Sequence, residues 1–178
     1  MAPDKFRVTF TTTKGDFTAD VHRDWSPNGA DRLYEMVNEG FFQDIAFFRV
    51  LDGFVAQFGI HGDPDVAVQW RAKAIPDDEV VASNTVGTIS FAMAGPGTRT
   101  TQLFVNLADN TRLDSMGFSP VAEVTDGMDV VKALHADYGE GAPRGNGPDQ
   151  GSIQARGNEY LKSEFPKLDY IESATIET

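Results

Sequence analysis

The sequence predicts a mostly β protein whose antiparallel strands close into a barrel. Three observations carry this. Short β-type runs recur along the whole chain, the first of them alternates cleanly between apolar and polar residues, and nothing in the runs protects a free sheet edge. The 178 residues suit one compact domain with a sizeable core. There is no internal repeat and no second composition regime, so the expected organisation is a single domain over 1–178.

The elements follow in order. "KFRVTFTTTKGDFTADVH" alternates at Phe6, Val8 and Phe10, turns at Lys14-Gly15 and resumes at Phe17, Ala19 and Val21, which reads as a hairpin. "SPNGADRLYEMVNEGFF" reads as a helix. Ser26 stands at the N-cap, Pro27 in the first turn, and Ala30, Leu33, Tyr34 and Val37 form one apolar face, with Gly40 just past the end. Further strands are expected at Ala46–Leu51, Phe54–Phe58, Thr88–Ala94, Gln102–Asn106 and near Val121–Val124. "GMDVVKALHA" is a short helix, with Met128, Val131 and Leu134 on one side. The Gly- and Pro-rich stretch Tyr138–Gly151 reads as loop. "NEYLKSEFP" forms a helical turn or two before Pro166, and "LDYIESATIE" closes the chain as a strand. The Gly/Pro-rich loop and the segment after it, at about 138–168, form an extended stretch before this closing strand.

Composition excludes several function classes. Hydrophobic residues are 40%, charged residues 24% and the formal net charge is −12, so neither nucleic acid nor an anionic membrane surface is an expected partner. No apolar run reaches the ~18 residues needed to span a bilayer. The opening "MAPDKFRVTFTTTKGDF" lacks the apolar stretch of a signal peptide, so a soluble protein is expected, cytoplasmic or, if a leader has been removed, exported. With no cysteine, disulfides, thiolate metal sites and cysteine nucleophiles are excluded. His22, His61 and His135 show no ligand spacing and read as surface or structural residues. The Gly-rich loop lacks the Lys-Ser/Thr ending of a phosphate loop, and no serine sits in a nucleophile elbow. Asp77, Asp78 and Glu79 read as a solvated acidic loop. No cofactor or metal is expected.

One stretch stands out. "FFRVLDGFVAQFG" (Phe47–Gly59) places Arg49 inside an aromatic run, where an unpaired buried charge is costly. Arg49 is therefore either paired for structure, with Asp44 or Asp52, or held in a pocket for chemistry. In an extended Phe54–Phe58 run, Phe54 and Gln57 fall on opposite faces, so bringing both to one site needs a bulge or twist near Gly53 or Gly59, or a Phe54 that reaches around the rim.

Three segments resemble the cyclophilin-type peptidyl-prolyl cis-trans isomerases in the family's order: "FFRVLDGFVAQFGIHGDP", "GTISFAMAGPGTRTTQLFV" and "LDSMGFSPVAEVTDGMDVV". The resemblance runs from about Phe6 to Val131. It implies an eight-stranded antiparallel barrel with a helix across each open end, an isomerase that accelerates X-Pro rotation and assists folding, proline-containing polypeptides as partners, and a monomer. It implies Arg49, Gln57 and Phe54 as catalytic-site residues. Phe48, Val55, Ala92, Met93, Ala94, Gln102, Phe104, Leu113, Arg112 and Phe118 become substrate-contacting positions, Ala92–Ala94 through their backbone. Departures are specific. The histidine before the arginine is Phe48, the asparagine of the substrate strand is Met93, the tryptophan before Leu-Asp is Arg112, a pocket histidine is Phe118, and the usual Phe-Gly is Val121-Ala122. The pocket should thus be more apolar than usual, with a second cation at its rim and weak affinity for cyclosporin. Two function classes remain: an active isomerase, favoured by Arg49 together with Gln57, and a proline-segment binding module or chaperone with little catalysis.

Overall fold

The computed structural model describes residues 1–178. Eight strands form one closed barrel: β1 (Lys5–Thr12), β2 (Gly15–His22), β3 (Ile45–Leu51), β4 (Val55–Phe58), β5 (Thr88–Phe91), β6 (Leu103–Asn106), β7 (Pro120–Asp126) and β8 (Tyr170–Glu177). Around the barrel the order is β1-β2-β7-β5-β6-β4-β3-β8, with β8 returning to β1, and every pairing is antiparallel. Inward side chains of these strands make one core. Phe10, Phe17, Phe47 and Phe58 are all but inaccessible, and their rings meet at centroid distances of 4.9–6.5 Å.

Two helices fill the barrel ends. Helix α1 (Pro27–Asn38) sends Ala30, Leu33 and Met36 into the core at the Phe6–Val21 end. Helix α3 (Met128–Lys132) sits at the other end, with Val131 fully buried and Gly127 packed on the Asp16–Phe17 backbone. The chain has more helix than the sequence reading expected. Helix α2 (Pro64–Arg71) and helix α4 (Gln150–Arg156) were not anticipated, and helix α5 (Asn158–Glu164) is the expected turn or two before Pro166. Ile153 of α4 and Tyr160 and Leu161 of α5 build a second, external core with Ala46, Phe48, Ile60 and Leu168. The tail is therefore packed onto the outside of β3.

Three local expectations need correction. Ser26 occupies the N-cap of α1, but its hydroxyl pairs with Ser119 Oγ at 2.6 Å rather than with a helix amide. The cap comes from Asp78, whose carboxylate accepts from the Asn28 and Gly29 amides at 3.1 and 2.9 Å. Asp78 is thus no part of a solvated loop: its side chain is 4% exposed and is paired with Arg99, 3% exposed. Strand β5 also ends sooner than expected, at Phe91. Ala92 keeps one ladder bond, its amide donating to the Gln102 carbonyl at 2.9 Å, and Met93 and Ala94 lie beyond the ladder.

Candidate active site

Arg49 reaches the surface of the barrel because of a bulge. The β3–β4 register runs Phe47↔Phe58 and then Arg49↔Gln57, so Phe48 is the extra residue. Phe47 and Val50 point into the barrel, while Phe48 and Arg49 both face outward. The same register sets Arg49 directly across from Gln57, with Arg49 Nη1 donating to Gln57 Oε1 at 3.0 Å. On β4, Ala56 and Phe58 turn inward, and Val55 and Gln57 turn outward. Phe54 is not in the strand. It ends the Asp52–Phe54 turn, made possible by Gly53 at φ +72°, and so swings to the rim beside Val55. The parity conflict in the sequence is resolved by a turn on one side and a bulge in the neighbouring strand. Gly59, at φ +109°, lies against the Thr101 and Gln102 backbone, where a Cβ would collide with the Thr101 carbonyl.

Beside Arg49 lies a cavity of about 520 Å³. Val55, Phe104 and Leu113, each no more than 6% exposed, form its apolar floor, with Phe54, Ala92 and Phe118 packed against them. The Phe104 and Phe118 rings meet edge to face at 5.6 Å. Phe48 shows the cavity only an edge, since it is 3% exposed and packs in the external core. Met93 lines the cavity, and its amide and carbonyl have no hydrogen-bond partner in the protein. Ala94 and Gln102 line an adjoining cavity of about 250 Å³ that shares Gln57, Ala92 and Met93 with the first. Arg112 lines neither. Its guanidinium lies over the Phe54 ring, 5.0 Å from the centroid, and Arg49 sits 5.8 Å from the same ring.

A family model for cyclophilin-type peptidyl-prolyl cis-trans isomerases matches residues 7–154. The chain belongs to that family. It is 32% identical over 179 residues to peptidyl-prolyl cis-trans isomerase B of Escherichia coli, covering 95% of this chain and 98% of that protein. It is 29% identical over 133 residues to an Arabidopsis thaliana peptidyl-prolyl cis-trans isomerase, covering 71% of this chain and 79% of that protein. Among solved structures, a cyclophilin-type isomerase from Cryptosporidium parvum superposes with a TM-score of 0.69 at 16% identity, covering 98% of both chains. A cyclophilin from Hirschia baltica gives 0.69 at 18% identity, covering 98% of this chain and 74% of that one. The family match thus extends past Val131 into the tail, further than the motifs reached.

Three features of this cyclophilin's site were missed by the sequence reading. The first is a buried polar network. Asn110 Nδ2 donates to the Phe54 carbonyl and to Asn106 Oδ1, both at 2.9 Å, and Asn84 Nδ2 donates to the Phe118 carbonyl at 2.9 Å and to Asp114 Oδ1 at 2.7 Å. Buried amides at 0–2% exposure thereby fix the two aromatic walls. The second is the amide chain leading from the arginine: Gln57 Nε2 donates to Gln102 Oε1 at 2.9 Å. The third is Glu140. Arg49 does not pair with Asp44 or Asp52; Nε and Nη2 each donate to a Glu140 carboxylate oxygen at 2.7 Å. The Gly/Pro loop that carries Glu140 forms one wall of the cavity through Glu140–Arg144 and Pro148–Gln150. Composition indicates only a connecting loop there. No short-range signal links Glu140 to an arginine 91 positions away.

Proposed function

We propose that this chain accelerates cis–trans rotation of X-Pro bonds in flexible or unfolded polypeptides, with Arg49 as the catalytic donor. The observation that carries this is the Arg49–Gln57 pair set beside a cavity whose floor is the apolar cluster of Val55, Phe104 and Leu113. Resonance gives the C–N bond partial double-bond character and a barrier of about 18–20 kcal/mol. The X-Pro isomers differ by only about 0.5–1 kcal/mol, so a faster path is needed rather than a driving force. In the twisted transition state the imide nitrogen becomes pyramidal and regains its lone pair. A donor aimed at that nitrogen stabilises the twisted state more than either planar one.

The roles follow from this. Arg49 has five N–H groups, of which three are held by Glu140 and Gln57, leaving one on each terminal nitrogen. Val55, Phe104, Leu113 and Phe118, with Phe54 at the rim, grip the pyrrolidine ring. The free Met93 amide and carbonyl receive the peptide backbone on the N-terminal side, and Gln57 and Gln102 steady the carbonyl flank. Rotation then occurs about a bond whose proline side is fixed. The Cryptosporidium parvum cyclophilin has also been solved in the presence of the dipeptide Ala-Pro, with a TM-score of 0.68. That likeness supports proline dipeptide units as the ligand class for this pocket.

The test is an isomerisation assay on several X-Pro peptides. Arg49→Ala should lower kcat/KM by about 10²–10³-fold, the loss typical of one transition-state donor, with a much smaller change in peptide binding. Arg49→Lys should recover little, because a point charge lacks the planar fork. A wild type no faster than the uncatalysed rate would leave only a proline-segment binding module.

A further inference from the structure

Resting on the isomerase reading, we propose that Glu140, in the Gly/Pro-rich loop outside the recognised motifs, is a positioning residue that fixes the Arg49 guanidinium for the reaction. Four observations converge on it. Both carboxylate oxygens are used, each taking one Arg49 N–H at 2.7 Å. The contact is made along the Nε/Nη2 edge, while Gln57 takes an Nη1 proton at 3.0 Å, so the guanidinium plane is held from two sides. One N–H on each terminal nitrogen stays uncommitted, which leaves the arginine able to donate to a substrate. The carboxylate is itself held, with Oε1 accepting from the Gly141 amide at 2.9 Å.

The loop is built to present this group. The Gly147 amide donates to the Glu140 carbonyl at 2.8 Å, and the Ala142 amide donates to the Gly147 carbonyl at 3.1 Å. A Cβ at Gly147 would lie 2.8 Å from the Gly139 carbonyl oxygen and 2.9 Å from that of Glu140, so the turn closes this tightly only with glycine. At the far end the Asp149 amide donates to Tyr160 Oη at 3.1 Å, and Asp149 caps α4 through the Ser152 amide at 3.0 Å. The loop is thus pinned to the external core, which packs on Phe48 next to Arg49. Without Glu140, a three-carbon side chain 24% exposed at the cavity edge would sample many rotamers. Orienting it beforehand removes that entropy from the barrier, and small misplacements of a catalytic group lower rates steeply.

The experiment measures exchange between the cis and trans forms of an X-Pro peptide by NMR on the full chain. Glu140→Ala should slow exchange at saturating peptide by about tenfold while the peptide Kd changes little. Glu140→Gln, which keeps the shape but offers one acceptor, should fall between. In an Arg49→Ala background, Glu140→Ala should have no further effect, since it acts only through Arg49. An active wild type with an unchanged or faster Glu140→Ala rate would overturn the positioning role, the faster rate meaning that the carboxylate blocks the arginine. So would a loss confined to Kd, or an equal further loss in the Arg49→Ala background. An inactive wild type would instead defeat the isomerase reading itself, and the positioning role with it.

Discussion

Glu140 shows what one ion pair does to a single residue. The Arg49 hydrogen bonds hold its carboxyl at about 2, against an ordinary 4.5, outweighing the upward push of burial, with the Gly141 amide adding to the lowering. Because the folded value is the depressed one, the pair's contribution to stability is complete above about 4.5 and is lost as pH falls towards 2. Carboxyl ¹³C titration should place the Glu140 midpoint near 2, and Arg49→Ala should return it towards the ordinary range. A midpoint near 4.5 in the wild type would mean that the pair does not form in solution. Arg112 supports a second prediction at this scale. Its guanidinium covers the Phe54 face, so the rim offers a hydrated cation at the position where the resemblance implies a tryptophan. Calorimetry should find weak cyclosporin binding that improves in Arg112→Trp; sub-micromolar affinity for the unchanged protein would contradict it.

At the scale of elements, α1 depends on a distant loop for its start. Asp78 both caps the helix and neutralises Arg99, each side chain no more than 4% exposed. Removing one partner of such a pair strands the other charge, so Asp78→Ala should cost about 3–5 kcal/mol, read from urea midpoints. Loss of less than about 1 kcal/mol would mean that water replaces the carboxylate. Asn110→Ala should weaken peptide binding by loosening the Phe54 turn, and Phe104→Ala should reduce binding and turnover together. These dependencies also mark what the sequence could and could not reveal. The hairpin, α1, α3 and β8 were legible because their apolar periods are local. The pocket residues were legible through ordered motifs. Helix α2 carried start signals that went unread, Asp63 accepting from the Asp65 amide and Pro64 at the first position. Asp78, Asn110 and Glu140 were not legible, because Arg99, the Phe54 carbonyl and Arg49, which give them their roles, lie 21, 56 and 91 residues away, and polar pairing over such spans leaves no period in the chain.

For the whole molecule, one core and an external core share β3, which sends Phe47 inward and Phe48 outward from the same bulge. The tail is therefore coupled to the barrel rather than appended to it. We expect a single cooperative unfolding transition, coincident by far-ultraviolet circular dichroism and by fluorescence of Trp25 and Trp70. Separate transitions would identify the 138–168 region as an independent unit. No helix is long and apolar enough to cross a membrane.

Barrel closure also constrains how the chain is made. Strand β8 pairs with β1 through Arg7↔Glu177 to Thr12↔Ile171, and with β3 through Ile45↔Ile171 and Ala46↔Tyr170. It is synthesised after all seven of its companions. Until it leaves the ribosome, β1 and β3 both present open edges, the very feature that invites strand addition from neighbouring nascent chains. Vectorial folding can build the hairpin and the helices early, but the closed form must wait for the final strand. The translating chain passes through a window in which a protein built around other chains' proline bonds is itself a candidate for holding by chaperones.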